Sequence, residues 1–226
     1  MERKFRFEYP VDVMGSMAGI ITTPTGFDPA KEKLPVIVNL HGAGERGDGS
    51  EEQLNRITIQ KGVAYYFWND PDYKGLRVIT ISPQCPENMF WTHLIFPLMQ
   101  WIEAAVDLVN GDRDRISVTG LSMGGYATWD LMCTFPKYFS CGAPVCGGGI
   151  PGLAFNLKGQ KLWVFHGVDD SIVPFKCSYD MVNAARASGA IVDFTAYDKY
   201  DHGTWGPAYA DTNVIEWLAS GKRGEA

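Results

Sequence analysis

The sequence predicts an α/β protein with a mostly parallel central sheet flanked by helices. Apolar runs of strand length recur along the chain, and stretches with helical periodicity separate them. Such nearly continuous apolar strands are typical of a sheet that helices cover on both faces. The chain has 226 residues and shows no internal repeat or Ser/Pro-rich linker. We therefore expect a single domain over residues 1–226, of a size that is typical of catalytic domains.

The predicted elements follow one another in a regular order. Two alternating segments, residues 5–11 and 18–23, are expected to form peripheral strands. Buried strands are expected at residues 34–40, 77–82, 116–120, 143–146, 162–166 and 192–197. Helices are expected at residues 94–109, 123–135, 176–187 and 208–219.

Composition excludes several classes of protein. The 26 acidic and 20 basic side chains give a net charge of −6, and no run of Lys and Arg is present that would displace phosphate counterions, so no nucleic-acid partner is expected. No apolar stretch approaches the roughly 20 residues that cross a bilayer, so no membrane partner is expected. The sequence gives no indication of oligomeric state.

Cysteine usage and the N-terminal residues bear on the compartment. The five cysteines show no C-x-x-C or C-x-x-H spacing, so reduced thiols and no metal site are expected. The first residues lack the apolar core of a secretion signal, which predicts a cytoplasmic protein. A secreted chain whose signal peptide had been removed would look the same.

Residues 120–124 match the pattern G-x-S-x-G around Ser122. The match has weight because of its position, directly after a buried strand and at the start of a helix, where a nucleophile elbow stands. Glycines allow close backbone approach at such a sharp turn, and the helix N-terminus stabilises developing negative charge. Ser122 is therefore the predicted nucleophile.

A serine hydroxyl needs a base that is oriented by an acid, and in this architecture the order along the chain is Ser, acid, His. Only His166 and His202 follow Ser122. His166 ends a strand without an earlier acid-bearing strand end, whereas His202 lies in a later loop with an acid loop upstream. His202 is the predicted base, and the acid is one of two adjacent carboxylates, Asp169 or Asp170.

The oxyanion of a tetrahedral intermediate needs backbone donors from the residue after the nucleophile and from an earlier strand-end loop. Met123 supplies the first predicted donor. The segment HGAG at 41–44 follows the strand at 34–40 and supplies the second predicted donor, through the amide of Ala43.

Glu45 and Arg46 either fix this loop by a local ion pair or line the substrate pocket. Trp205, three residues past the base, is either a core residue or a substrate-binding residue at the rim.

Five blocks together resemble a known family: HGAGERG (41–47), SPQCP (82–86), TGLSMGGY (119–126), PVCGGG (144–149) and HGTW (202–205). They are similar to the esterase and "predicted peptidase" branch of the α/β-hydrolase superfamily, near dienelactone hydrolases, carboxylesterases, and feruloyl and acetylxylan esterases. The family spacing H-G-x-x-D-x-x-V-P selects Asp170 over Asp169. The resemblance implies an α/β-hydrolase fold, a triad of Ser122, Asp170 and His202, and neither cofactor nor metal. Asp201 departs from the family, where glycine is common before the base.

The predicted function is that of a serine carboxylic-ester hydrolase. Only residues 147–160 separate two predicted strands at the place where many lipases insert a cap, so we expect no cap domain and an open site. An open site suits a bulky substrate, and with the resemblance it indicates an esterase for feruloyl or acetyl groups on plant polysaccharides. The expected partner is thus a small-molecule or oligosaccharide ester. The alternatives are a short-chain carboxylesterase, a serine peptidase, or a non-catalytic binding protein on the same scaffold.

Overall fold

The computed structural model describes residues 3–11 and 15–224, and within them eight strands form one sheet. The strands are β1 Lys4–Val11, β2 Gly15–Thr22, β3 Val36–Leu40, β4 Ile79–Pro83, β5 Ile116–Leu121, β6 Cys141–Val145, β7 Lys161–Gly167 and β8 Ile191–Tyr197. The helices are α1 Glu51–Leu54, α2 Val63–Asn69, α3 Ile95–Leu108, α4 Met123–Thr134, α5 Lys176–Ala187, α6 Trp205–Ala210 and α7 Val214–Ser220. The predicted α/β class is confirmed.

The strand order across the sheet is β1-β2-β4-β3-β5-β6-β7-β8. Strands β1 and β2 pair antiparallel at one edge, β2 pairs antiparallel with β4, and the remaining neighbours are parallel. The carboxyl ends of β3 to β8 therefore lie along one edge of the sheet, where Leu40 pairs with Gly120. Ligand sites of open α/β sheets occur at this edge.

Alternate residues of the strands bury opposite faces of the sheet. On one face, Val36, Val38 and Leu40 pack in the same cluster as the apolar stripe of α3, which includes Trp101 and Ile102. On the other face, apolar residues of β3, β5, β6 and β7 pack with α2, α6 and α7. Helices thus cover both faces, which explains why the central strands are apolar almost throughout.

The predicted helix at 208–219 is wrong, because the chain forms two helices there, α6 and α7. Thr212 explains the break: its hydroxyl donates to the Ala208 carbonyl at 2.6 Å and accepts the Val214 amide at 3.1 Å. A side chain that satisfies backbone groups in this way competes with the continuing helix. The short helices α1 and α2 were not predicted.

The connection from β6 to β7 is short. Residues 146–160 contain only a 3-10 helix, Pro151–Leu157, so no cap stands there in the described chain, as predicted.

The five cysteines are free. None of the described helices is both long and apolar enough to cross a membrane.

Candidate active site

The turn between β5 and α4 holds Ser122 in a strained conformation, with φ 54° and ψ −116°. The flanking glycines are required by close backbone contacts. A Cβ atom on Gly120 would lie 2.4 Å from the Gly124 carbonyl oxygen, and one on Gly124 would lie 2.0 Å from the Leu40 carbonyl oxygen. The Ser122 amide donates to the Val145 carbonyl at 2.9 Å and ties the turn to β6. The predicted nucleophile elbow is present.

A continuous hydrogen-bonded chain joins Ser122, His202 and Asp170. His202 Nε2 lies 2.9 Å from Ser122 Oγ, and His202 Nδ1 lies 2.8 Å from Asp170 Oδ2. Because an ionised carboxylate only accepts, Nδ1 carries the hydrogen and Nε2 accepts from the serine hydroxyl. This is the tautomer in which Nε2 can take the serine proton.

Asp170 lies at the start of a tight turn after β7, and its side chain is fully buried. Its Oδ1 accepts the backbone amides of Ile172 at 2.9 Å and Val173 at 2.8 Å, which leaves Oδ2 for His202. Asp169 is exposed, and its backbone amide donates to Tyr200. The structure therefore brings Asp170, and not Asp169, to the predicted base.

The predicted oxyanion donors lie on the two segments that meet at the elbow. Met123 is the first residue of α4, so its amide has no partner inside the helix. Ala43 opens a one-turn 3-10 helix directly after Gly42, and a Cβ on Gly42 would lie 2.8 Å from Leu121 Cδ1. The loop of Ala43 thus packs against the residue that precedes Ser122.

Glu45 and Arg46 hold this loop through different partners. The Glu45 carboxyl is buried with its Oε2 4.0 Å from His41 Nδ1, and burial raises its pKa. Arg46 donates to the carbonyls of Ala43 at 2.9 Å and Met89 at 3.3 Å. No ion pair joins Glu45 to Arg46 in the described residues, so the predicted local ion pair is absent.

Asp201 connects the loop of the acid to the loop of the base. Its Oδ1 accepts the Ser171 amide and the His202 amide, each at 2.8 Å, and the Ser171 hydroxyl at 2.9 Å. These hydrogen bonds lower the pKa of Asp201. The only signal for this role in the sequence is the departure from glycine before the base.

Trp205 is partly buried at the start of α6. It packs against the core cluster on that face of the sheet, and its ring meets the His202 ring edge to face, with centroids 5.5 Å apart. The core contact of Trp205 is thus observed, and its role in substrate binding stays a prediction.

Cys146 also lies beside the triad. Its Sγ and the nearest ligand atoms of Asp170 and His202 lie within 4.8 Å of one another. However, burial raises the pKa of this thiol to about 12, and His202 and Asp170 already bond to each other. The described contacts are those of a hydrogen-bonded triad, in which Asp170 Oδ2 is occupied by His202 Nδ1.

Comparison with solved structures supports the interpretation of Ser122, His202 and Asp170 as a hydrolase triad. No protein-family model matches the sequence. A thermostable esterase is 32% identical with a TM-score of 0.83, and the match covers 98% of this chain and 64% of that chain. This chain therefore spans just under two thirds of the esterase.

Two more distant structures share the fold alone. The S-formylglutathione hydrolase of Agrobacterium tumefaciens is 13% identical with a TM-score of 0.70, and the match covers 97% of this chain and 95% of that chain. The acylaminoacyl peptidase of Pyrococcus horikoshii is 17% identical with a TM-score of 0.70, and the match covers 99% of this chain and 42% of that chain. The sheet topology, the nucleophile elbow and these likenesses show that the chain has the α/β-hydrolase fold.

Proposed function

We propose that this protein is a serine hydrolase that cleaves carboxylic esters through an acyl-enzyme. The observation that carries the proposal is the hydrogen-bonded chain from Ser122 Oγ through His202 to the buried Asp170. Support comes from the 32% identical esterase, whose match covers nearly all of this chain.

The geometry supports a two-step reaction. In the first step Ser122 Oγ forms a bond to the ester carbonyl carbon, and His202 Nε2 takes the hydroxyl proton. The amides of Met123 and Ala43 are the proposed donors to the oxyanion, and Asp170 stabilises the imidazolium. The carbon–oxygen bond to the alcohol then breaks as His202 returns its proton to the leaving oxygen. In the second step water loses a proton to His202 and attacks the acyl carbon. The bond from that carbon to Ser122 Oγ then breaks as His202 returns the proton to Oγ, which releases the acid and free Ser122.

We further propose that the alcohol part of the substrate is a sugar. Because His202 protonates the leaving alcohol, that part of the substrate lies on the His202 side of the site. A cleft of about 450 Å³ lies on this side, and its lining includes Tyr200, two residues before the base, and Gly206, just after Trp205. Lys61 also lines the cleft, and a Cβ added to the next residue, Gly62, would lie 3.4 Å from Leu121 Cδ2. The cleft lining therefore continues to a residue close to the one that precedes Ser122.

The chemistry of the cleft favours a glycosyl group. Three tyrosines, Tyr65, Tyr66 and Tyr200, line it together with Lys61 and Asp211. Aromatic faces pack against the apolar C–H faces of sugar rings, while hydroxyl, ammonium and carboxylate groups bond to sugar hydroxyls. Acetyl or feruloyl esters of polysaccharides combine such an alcohol with the proposed chemistry.

The test compares esters that share an acyl group and differ in the alcohol, such as methyl ferulate against feruloylated oligosaccharide and ethyl acetate against acetylated xylo-oligosaccharide. We expect a higher kcat/KM for the sugar esters. Tyr200→Ala and Tyr65→Ala should reduce this preference roughly tenfold, because truncating a contact residue typically costs 1–2 kcal/mol. Tyr179→Ala, on α5 and outside the cleft, is the matched control.

Other outcomes would redirect the assignment. A preference for free short-chain esters without any effect of the sugar would indicate a general carboxylesterase. Cleavage of peptides without cleavage of esters would indicate a peptidase. Binding of oligosaccharide without turnover of any substrate would indicate a non-catalytic protein.

A further inference from the structure

Asp170 faces a second histidine besides the proposed base. His166, in β7, is fully buried, and its Nε2 lies 3.2 Å from Asp170 Oδ2. The same oxygen accepts the Nδ1–H of His202 at 2.8 Å. One carboxylate oxygen thus lies between two imidazole rings.

The surroundings of His166 assign its tautomer. Its Nε2 also lies 2.9 Å from the Val173 carbonyl oxygen, so this nitrogen faces two acceptors and must carry hydrogen. Its Nδ1 lies 2.7 Å from the hydroxyl of Ser178, which is buried in α5. Burial lowers the pKa of His166, which favours the neutral ring. His166 therefore presents an N–H dipole to Asp170.

Further contacts connect this ring to the helix of the nucleophile. Ser178 Oγ lies 2.6 Å from the Gly147 carbonyl oxygen as well as 2.7 Å from His166 Nδ1, so its one hydroxyl hydrogen is shared between these two acceptors. A Cβ on Gly147 would lie 2.5 Å from the Gly125 carbonyl carbon and 2.6 Å from the Tyr126 amide nitrogen, so Gly147 abuts the first turn of α4. The ring of His166 stands between the loop of the acid and the backbone that supports the elbow.

We propose that His166 is a positioning residue that holds Asp170 in the orientation required by His202, with Ser178 fixing its ring. The side chain of Asp170 has no exposure to water, so protein N–H groups must stabilise its charge. Two backbone amides face Oδ1 and two imidazole N–H groups face Oδ2. The inference rests on the proposed function, because this orientation matters only if His202 acts as the base.

The test uses two substitutions that differ in one donor. His166→Leu removes the N–H, whereas His166→Gln places an amide nitrogen about where Nε2 stands. Thr119→Val is the matched control: Thr119 Oγ1 makes buried hydrogen bonds to the Ala143 carbonyl at 2.6 Å and the Tyr209 hydroxyl at 2.7 Å, away from the acid. For each variant, kcat and KM are measured per active site titrated with a fluorophosphonate, together with the melting temperature.

We expect His166→Leu to lower kcat per titrated site by about 10- to 100-fold at unchanged KM, as for a lost hydrogen bond to a charged group. His166→Gln should recover kcat to within about fivefold of the wild type, and Thr119→Val should lower only the melting temperature. If His166→Leu does not fold, Ser178→Ala supplies the test, with an expected loss in kcat of about 3- to 10-fold.

A kcat per titrated site that stays at the wild-type value in His166→Leu, or in Ser178→Ala if the former does not fold, overturns the inference. So does a His166→Gln variant as slow as His166→Leu. Either result leaves the proposed function intact if the wild-type enzyme is titratable and active. A wild-type protein that hydrolyses no ester and takes up no fluorophosphonate overturns the proposed function itself.

Discussion

Asp170→Asn should nearly abolish ester hydrolysis, because neither orientation of the amide fits the donors around it. With its oxygen at Oδ1, the amide nitrogen faces the Nδ1–H of His202 and the Nε2–H of His166. With the amide flipped, its nitrogen faces the backbone amides of Ile172 and Val173.

The first orientation retains two backbone hydrogen bonds and should prevail. His202 can then keep its bond to residue 170 only by accepting at Nδ1, which moves its hydrogen to Nε2. In that tautomer Nε2 points a hydrogen at Ser122 and cannot take the serine proton. The wrong tautomer costs about 10⁴ in kcat, or about 5.4 kcal/mol of transition-state stabilisation.

The assay is the hydrolysis of p-nitrophenyl acetate per site titrated with fluorophosphonate, with melting temperatures as a check on folding. Asp169→Asn is the matched control, because this neighbouring carboxylate is exposed and outside the hydrogen-bonded chain. Its kcat should stay within about twofold of the wild type, since surface substitutions away from such features change little. An Asp170→Asn enzyme within tenfold of the wild type, or an equal loss in Asp169→Asn, would refute the reasoning.

Three further predictions concern residues around the triad and on α4. Burial raises the pKa of Asp130 from 3.8 to about 6, so the folded state favours the protonated acid. Asp130→Asn should therefore raise the unfolding free energy at pH 8 by about 1–3 kcal/mol, and urea titrations should show the gain vanish as the pH falls below about 4. Asp201→Ala should lower kcat by up to about tenfold, because it removes the acceptor for the Ser171 and His202 amides. Asp201→Asn keeps that acceptor and should leave kcat unchanged. An equal loss of kcat in the two variants would assign the effect to the charge of Asp201. Trp205→Ala should cost about 1–3 kcal/mol of unfolding free energy, less than a fully buried tryptophan, and should raise KM for sugar esters more than for methyl esters.

Much of the fold was predictable because its signals are local. The central strands are apolar on both faces, so each was recognisable by composition, and all eight predicted strands are present. The elbow was recognisable because G-x-S-x-G stands between a strand and a helix. Its glycines are explained by the structure, because a Cβ added at Gly124 would lie only 2.0 Å from a backbone oxygen.

Other features depend on contacts that local patterns do not show. The apolar periodicity at 208–219 continues through Thr212, whose side chain nevertheless ends α6 and bonds to the start of α7. The order of residues along the chain excludes His166 as the predicted base. Its contact with Asp170 arises because the turn after β7 brings the carboxylate of Asp170 back to the ring. The spacing of four residues between them is consistent with such a contact but does not predict it. Asp201 acts across two loops, 30 residues from Ser171.

The most direct test of the central claim is the labelling of the protein with a fluorophosphonate, followed by mass spectrometry of its peptides. If Ser122 is the nucleophile activated by His202, one adduct per chain should form on Ser122, and esterase activity should fall in proportion to labelling. Ser122→Ala should take up no label and lose nearly all activity while it keeps the wild-type melting temperature. A stoichiometric adduct on another residue, or an active Ser122→Ala protein, would contradict the account.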